Sequence, residues 1–449
     1  MRTISLSAAA AVLAFSTLTS AAAATTAITV KGNAFFRGNE RFYIRGVDYQ
    51  PGGSSNLGDP LANTTSCSRD IPIMQELGIN TLRVYTVDNS ENHDECMKML
   101  EDAGIYLILD VNTPNFSINR EFPMYSYNAK YLQHIFATID VFGQYTNTLG
   151  FFSANEVTNM VNNTRAATVV KAVTRDMKQY IAAQVNRPIP VGYSAADVAE
   201  NRMQMAEYLD CGDDSDARGD FYAINDYSWC GSKSSFQISG WDQKVKNYTD
   251  YAVPIFLSEF GCNVPSPRVF AEIESLYSTD MTGVFSGGLV YEFTQEDNKF
   301  GLVQVSDDGK TVEKLTDFDN LAKMYNSTAN PTGDGGYQTG LSAKSCPAAT
   351  DVWQASNTLP NLPADASTYM KSGAGKALGN SGGSQYIPPS GTEDLSFDGD
   401  TSTASGSAAA SSGTAEAGAA FGNSEMVAGT WWIGVIVPMA AVAGAMFVF

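Results

Sequence analysis

Leu149-Gly150-Phe151-Phe152-Ser153-Ala154-Asn155-Glu156 is a short apolar run that ends on an amide and a carboxylate. Farther along, Pro254-Ile255-Phe256-Leu257-Ser258-Glu259 repeats the arrangement, with a second glutamate at its end. Neither run alternates polar with apolar residues. A strand buried on both faces reads this way, as in a parallel sheet covered by helices. Six further β-rich runs share the character: Phe42–Tyr49, Asn80–Val87, Ile105–Val111, Ile189–Tyr193, Phe221–Tyr227 and Gly288–Phe293. Helical segments lie between them, among them Asp70–Leu77, Glu91–Ala103, Asn128–Tyr145, Ala166–Val185 and Pro267–Tyr277. This alternation over residues 25–330 predicts an α/β fold, a (β/α)8 TIM barrel. A doubly wound open sheet is the runner-up. No GxGxxG follows the first strand and no GxxxxGK(S/T) occurs, which counts against that fold and against nucleotide binding.

In a barrel of this kind the active site sits at the C-terminal ends of the strands. Those ends carry Tyr49-Gln50, Tyr85, Asp110, Asn155-Glu156, Tyr193, Asn225-Asp226-Tyr227, Glu259 and Tyr291-Glu292. Carboxylates, amides and tyrosines together suit a sugar polymer, whose rings offer an apolar face and a rim of hydroxyls. Elimination narrows the chemistry. The chain has 2 histidines, His93 and His134, so a three-histidine zinc site is excluded. Neither is at a strand end and no GxSxG is present, so a Ser-His-Asp triad is unsupported. His134, on a helical segment, reads as a surface or packing residue. Carboxylates remain. Glycoside cleavage needs two, one protonated to assist the leaving oxygen and one ionised to attack the anomeric carbon. Glu156 and Glu259, ending strands four and seven, project into one mouth, with a separation of about 5–5.5 Å expected for a retaining pair. Asn155 is placed to hydrogen-bond a sugar 2-hydroxyl. Glu292 is a rival carboxylate at strand eight, read as structural and as a partner of Arg83 or Arg45.

The chain has 449 residues, 44% of them hydrophobic, and a net charge of -20. No basic stripe is present, so a nucleic-acid partner is not expected. Residues 1–24 have the basic start, apolar run and small-residue end of a secretory signal peptide. After the barrel, residues 331–371 read as a loop-rich wrap tied by Cys346. Residues 372–424, rich in Ser, Gly and Ala, read as a low-complexity stalk unable to bury enough apolar surface to fold. Residues 425–449 end in the apolar run Thr430–Phe449, and no Lys or Arg follows Lys376. That pattern fits a propeptide for a glycosylphosphatidylinositol (GPI) anchor better than an ordinary span, with Gly418, Gly422 or Asn423 as candidate attachment residues. The six cysteines Cys67, Cys96, Cys211, Cys230, Cys262 and Cys346 suggest three disulfides, with the connectivity open among fifteen possibilities. N-glycosylation sequons begin at Asn63, Asn115, Asn162, Asn247 and Asn326.

Over residues 26–350 the sequence resembles the fungal β-1,3-glucanosyltransferases of glycoside hydrolase family 72. The resemblance rests on Phe42-Tyr43-Ile44-Arg45-Gly46-Val47-Asp48-Tyr49-Gln50-Pro51, Asn80-Thr81-Leu82-Arg83-Val84-Tyr85 and Asn155-Glu156. It also rests on Tyr227-Ser228-Trp229-Cys230, Ser258-Glu259-Phe260-Gly261-Cys262 and Gly288-Leu289-Val290-Tyr291-Glu292-Phe293. It implies Glu156 as acid/base, Glu259 as nucleophile, and Gln50, Tyr85, Asp110, Asn155, Tyr227 and Tyr291 around the donor sugars. It implies the pairs Cys67–Cys96, Cys211–Cys346 and Cys230–Cys262. With one cysteine after residue 262, the chain resembles the shorter subgroup that lacks a cysteine-rich carbohydrate-binding module. The implied partners are β-1,3-glucan donor and acceptor chains. No metal or cofactor is expected, and the implied state is a monomer at the outer face of the plasma membrane or in the cell wall. An endo-β-1,3-glucanase shares every residue named, and a non-catalytic wall glucan-binding protein is the reading from another class.

Overall fold

The computed structural model describes residues 25–388. The expected signal peptide (residues 1–24), the residues from 389 onward and the candidate anchor residues Gly418, Gly422 and Asn423 lie outside the described residues.

Eight parallel strands close into a barrel. In chain order they are β1 (Ile44–Asp48), β2 (Thr81–Val84), β3 (Tyr106–Asp110), β4 (Thr148–Asn155), β5 (Val191–Ala196), β6 (Phe221–Asp226), β7 (Ile255–Phe260) and β8 (Phe285–Val290). Each pairs with its neighbour in sequence, and β8 closes on β1 with Gly288 opposite Arg45 and Val290 opposite Val47. The closure is tight. At Gly287, φ is +92° and a Cβ would lie 2.1 Å from the Ile44 carbonyl oxygen, a position that favours glycine. The predicted run Gly288–Phe293 therefore sits three residues late. Beyond Val290 the chain leaves the sheet, and Phe293 N–H donates to the Asp48 carbonyl while Glu292 N–H donates to Phe300.

The helices surround this barrel. The segment predicted from Asp70 begins earlier, at Thr64, because the Asn63 side chain accepts from Ser66 N–H at 3.1 Å and caps the first turn. The segment predicted over Pro267–Tyr277 is helical only over Glu272–Leu276. Arg268 is drawn inward instead, with its guanidinium on Asp317 at 2.6 Å and on the Tyr291 carbonyl at 2.6 Å. His134 is packed within its helix, stacked on Phe116 with ring centroids 3.9 Å apart. Burial holds its pKa down, at about 4.

Two parts of the chain were not anticipated from the sequence. Residues 28–42 form a small antiparallel sheet of strands Ile28–Lys31, Ala34–Arg37 and Glu40–Phe42. It closes the end of the barrel from which the strands start. Phe35 is fully buried against Phe221 and Phe256, with centroids 6.1 and 5.8 Å away, beside Ile28, Tyr106 and Leu149. The predicted strand Phe42–Tyr49 merged the last residue of this cap with β1. At the other end of the chain, the boundary at residue 372 is corrected. Residues 373–387 lie on the barrel, with Ala374 and Gln385 buried. Gln133 donates to the carbonyls of Ala374 and Lys376 at 2.9 and 2.8 Å. A segment poor in apolar residues is fixed here by backbone hydrogen bonds rather than by a core of its own.

The disulfides are Cys67–Cys96, Cys211–Cys346 and Cys230–Cys262, the pairing the family resemblance implies. The second ties the wrap to the end of the helix Arg202–Leu209. Of the sequons, Asn63, Asn162, Asn247 and Asn326 are exposed, whereas Asn115 is half-buried and donates its Nδ2 to the Asn380 carbonyl at 3.0 Å.

Phe35→Ala should cost about 3–5 kcal/mol of unfolding free energy, the usual loss for deleting a fully buried aromatic ring. Urea unfolding of the two proteins measures it; a loss under about 1 kcal/mol would show that the cap is not part of the core.

Candidate active site

Arg83 comes from the middle of β2 and is completely buried. Its Nε and Nη2 donate to the two carboxylate oxygens of Asp110, at the end of β3, at 2.8 and 3.2 Å. Its Nη1 reaches Glu259 Oε1 at 3.2 Å and the Ser258 carbonyl at 3.3 Å, on β7. The guanidinium also lies over the rings of Tyr85 and Phe152. One cation thus links the third and seventh strands through the second.

Glu259 receives two further donors. Tyr85 Oη donates to Oε1 at 2.8 Å and Tyr227 Oη to Oε2 at 2.8 Å. All three partners donate to it, which favours the ionised form. Burial acts the other way and is the largest influence, raising its pKa to about 7 against the pull of Arg83; the charge of Glu156 adds to the rise. The charge of Glu156 thus acts on Glu259 across the mouth.

Glu156 follows directly on β4 and has a left-handed backbone, φ +47°. Its Oε1 accepts from Asn225 Nδ2 at 2.9 Å. Asn225 Oδ1 in turn accepts from the hydroxyls of Ser194 at 3.1 Å and Ser258 at 2.8 Å, which fixes the amide's orientation. Asn225 also donates to Asn155 Oδ1 at 3.3 Å and lies opposite Glu259 in the β6–β7 register. The sequence placed Asn225 at the barrel mouth without giving it a task. Its task comes from strand register, which no local motif encodes.

The other expected residues divide. Tyr291 stands between Tyr85 and Tyr227, ring centroids 6.5 and 6.3 Å away, with Phe300 at 5.4 Å. Together they make an aromatic wall beside Glu259, and Phe300 was not foreseen. Gln50 commits its amide to the surrounding loops, accepting from Thr86 N–H and donating to the carbonyls of Asn56 and Gly58. Asp110 commits both oxygens to Arg83. These two set the floor of the site in the free protein. Tyr193 accepts from Thr158 N–H and braces the loop after β4. Asp226 pairs with the buried Lys244.

The expected partner of Glu292 is corrected. Arg83 is occupied as described, and Arg45 binds Asn330 and the carbonyls of Tyr325 and Thr328. Glu292 instead accepts from Asn298 Nδ2 at 2.7 Å. Burial raises its pKa to about 8, with Glu296 and Glu259 adding to the rise. Asp48, at the end of β1, is wholly buried with neither carboxyl oxygen hydrogen-bonded among the described residues. Burial pushes its pKa well up despite Arg83, and Glu259, Asp110 and Glu292 push the same way. Asp48 and Glu292 thus favour their neutral acid forms, which leaves Arg83 to Asp110 and Glu259. Among the described residues no group of three or more His, Cys, Asp or Glu is placed to hold a metal ion.

A carboxylate pair at the ends of the fourth and seventh strands, one held by tyrosines and an arginine, is a glycosidase-type arrangement, and the whole chain can be compared on that footing. The profile of the glucanosyltransferase family, glycoside hydrolase family 72, matches residues 17–329. The chain belongs to that family. The 1,3-beta-glucanosyltransferase GAS5 of Saccharomyces cerevisiae is 60% identical over 359 residues, covering 79% of this chain and 74% of that protein. The 1,3-beta-glucanosyltransferase gel1 of Aspergillus fumigatus is also 60% identical over 359 residues, covering 80% and 78%. Among solved structures, Saccharomyces cerevisiae Gas2p in complex with laminaritriose and laminaritetraose superposes with a TM-score of 0.71 at 42% identity, covering 76% of this chain and 77% of that one.

The coupling within the carboxylate pair of this glucanosyltransferase has a definite sign. Glu156→Gln removes a negative neighbour, so Glu259 ionises more easily and its pKa falls below the value of about 7 in the parent protein. A 13C-NMR titration of the Glu259 side-chain carboxyl follows this directly. A midpoint that stays put or rises contradicts the coupling.

Proposed function

We propose that this glucanosyltransferase cleaves an internal β-1,3-glucan linkage with retention and transfers the new reducing end of the retained fragment to the non-reducing end of a second β-1,3-glucan. What carries the reading is the unequal treatment of two carboxylates at one mouth. Glu259 meets only donors, from Arg83, Tyr85 and Tyr227. Glu156 meets one amide donor on one oxygen and is half-exposed. The three donors stabilise the ionised form of Glu259 against its burial, and the ionised form is what the nucleophile of retaining cleavage needs.

In that step a Glu259 oxygen attacks the anomeric carbon. The glycosidic C–O bond breaks and its oxygen takes the proton of Glu156. A glycosyl ester on Glu259 remains, and the reducing-end fragment departs. As the ester forms, Glu259 loses its charge and the repulsion on Glu156 is relieved, which suits Glu156 to act next as a base. It takes the proton of the incoming 3-hydroxyl as that oxygen attacks the anomeric carbon and releases Glu259. Arg83 and the two tyrosines steady the carboxylate again as it leaves. The aromatic wall of Tyr85, Tyr227, Tyr291 and Phe300 offers apolar faces against which sugar rings pack.

Hydrolysis differs only in that water is the second nucleophile, so an endo-β-1,3-glucanase would use the same residues. The curated names of the relatives at 60% identity favour transfer. The intact pair, its two members held by different partners, disfavours a purely binding protein. The sequence features of both chain ends support a secreted protein held at the outer face of the plasma membrane by a GPI anchor and acting on cell-wall glucan. Among the described residues no helix is long and apolar enough to cross a membrane.

The test is product analysis with a reduced β-1,3-gluco-oligosaccharide. The secreted protein should yield chains longer than the starting material, and Glu259→Gln should yield none while keeping the parent's circular-dichroism spectrum. Products that are only shorter would establish a hydrolase. Substantial turnover by Glu259→Gln would remove Glu259 as the nucleophile.

A further inference from the structure

The acid/base residue proposed above is held by its backbone as well as by its side chain. Glu156 N–H donates to the Ser194 carbonyl at 2.8 Å. Its own carbonyl accepts two hydrogen bonds from a single guanidinium, Arg120 Nε at 3.2 Å and Nη2 at 3.0 Å. Between these fixed points Glu156 has φ +47°. A non-glycine residue keeps that conformation only where its surroundings over-determine it. The fork of Arg120 closes the peptide unit on the C-terminal side of the strained residue. Lysine, a point donor, offers no such fork.

Arg120 sits in the loop that follows β3, which is anchored at its start by the Thr113–Phe116 bridge and by buried Phe116 and Ile118. Asn119 Oδ1 accepts from the N–H groups of Glu121 and Phe122, a turn that flanks Arg120 on both sides. The two limbs of the loop are joined directly where Asn119 N–H donates to Ser126 Oγ at 2.9 Å, and a second time by a residue from far outside the barrel. Gln385 is almost completely buried. Its Nε2 donates to the carbonyls of Ser117 at 2.6 Å and Ser126 at 3.3 Å. Its backbone N–H donates to the Asn115 carbonyl at 3.3 Å, and its carbonyl accepts from Asn128 Nδ2 at 3.0 Å. On either side, Asn380 binds Asn115 Nδ2 and Ile387 N–H binds the Tyr125 carbonyl. The segment also reaches the loops after β1 and β2, through Asn380 to the Leu57 carbonyl and through Gly379 to Asn89.

We propose that Arg120 is a positioning residue for Glu156, and that residues 379–387, through Gln385, hold the loop that carries Arg120. The segment that composition assigns to a stalk is then a working part of the catalytic unit. Proton transfer is sensitive to placement, and a shift of about 1 Å in a reacting group can cost about 100-fold. Losing the fork should therefore weaken the proton transfers made by Glu156 and spare the attack by Glu259.

The inference rests on the reading of Glu156 as acid/base, and the experiment separates the two. Secreted full-length chain and its variants are assayed on two donors: a laminari-oligosaccharide, whose leaving oxygen needs a proton, and a dinitrophenyl β-laminari-oligoside, whose leaving group does not. The release of dinitrophenolate in the first turnover is the readout for the second donor. Glu156→Gln is the reference and should lose activity on the first donor while keeping the dinitrophenolate burst. In Arg120→Gln, kcat on the oligosaccharide should fall about tenfold or more, with KM and the burst rate within about twofold of the parent. Gln385→Ala should show the same pattern with a smaller loss. It leaves Arg120 in place and carries the comparison if Arg120→Gln is not secreted. Equal losses on both donors at an unchanged melting temperature, or no loss on either, would overturn the positioning role. A Glu156→Gln protein that loses both donors equally would instead overturn the acid/base assignment.

Discussion

The guanidinium of Arg83 is buried completely, and its N–H donors are divided between a carboxylate on β3 and a carboxylate on β7. A charge in that position is tolerated only because it is paired and hydrogen-bonded on every side. Removing one partner would leave an uncompensated buried charge, at a cost of about 3–5 kcal/mol. The ends of the strands around it are therefore not free to drift. Glu259 is held where Arg83 can reach it, and Tyr85 and Tyr227 complete its shell from β2 and β6. Phe152 and Tyr85 place their ring faces against the cation, so even the apolar lining is arranged around it.

The same constraint sets the protonation pattern. The carboxyl groups of Asp110, Glu259 and Glu292 all act on Asp48 beside the buried Arg83. Arg83 stabilises the charge of the two it touches. Among the described residues neither Asp48 nor Glu292 forms an ion pair, and burial pushes both toward the neutral acid. Glu156, whose charge acts on Glu259, is less deeply buried and receives its orientation from an amide rather than from a charge. Two chemically identical side chains thus come to differ because one lies on the arginine and the other on an asparagine.

Around this centre the fold is built in layers that close the barrel from both ends. The small sheet of residues 28–42 seals the bottom with Phe35, where a ring of aromatic side chains would otherwise meet water. The wrap crosses the outside, is tied by Cys211–Cys346, and ends on the loops that follow the first three strands. Those loops shape the mouth. The chain that leaves the barrel at residue 330 thus returns to it before residue 388.

Much of this was legible in the sequence. Eight apolar runs separated by helical segments specify a parallel barrel, because a strand buried on both faces cannot alternate. A glutamate at the end of the fourth and of the seventh run then puts both in one mouth. Strand ends were misplaced where backbone closure rather than composition decides them, as at Gly287 and after Val290. The roles of Asn225, Phe300 and Arg120 were not legible, because each depends on a register or a loop path joining residues far apart in sequence. Nor was the docking of residues 373–387. A low-complexity composition says that a segment cannot make a core of its own, and that remains true of it. Only the tertiary structure shows it held by hydrogen bonds from side chains already fixed on the barrel. The sequence by itself determined the barrel and the two carboxylates, since both follow from local pattern. The tertiary structure decided what surrounds those carboxylates, since donors, charge and burial act through space.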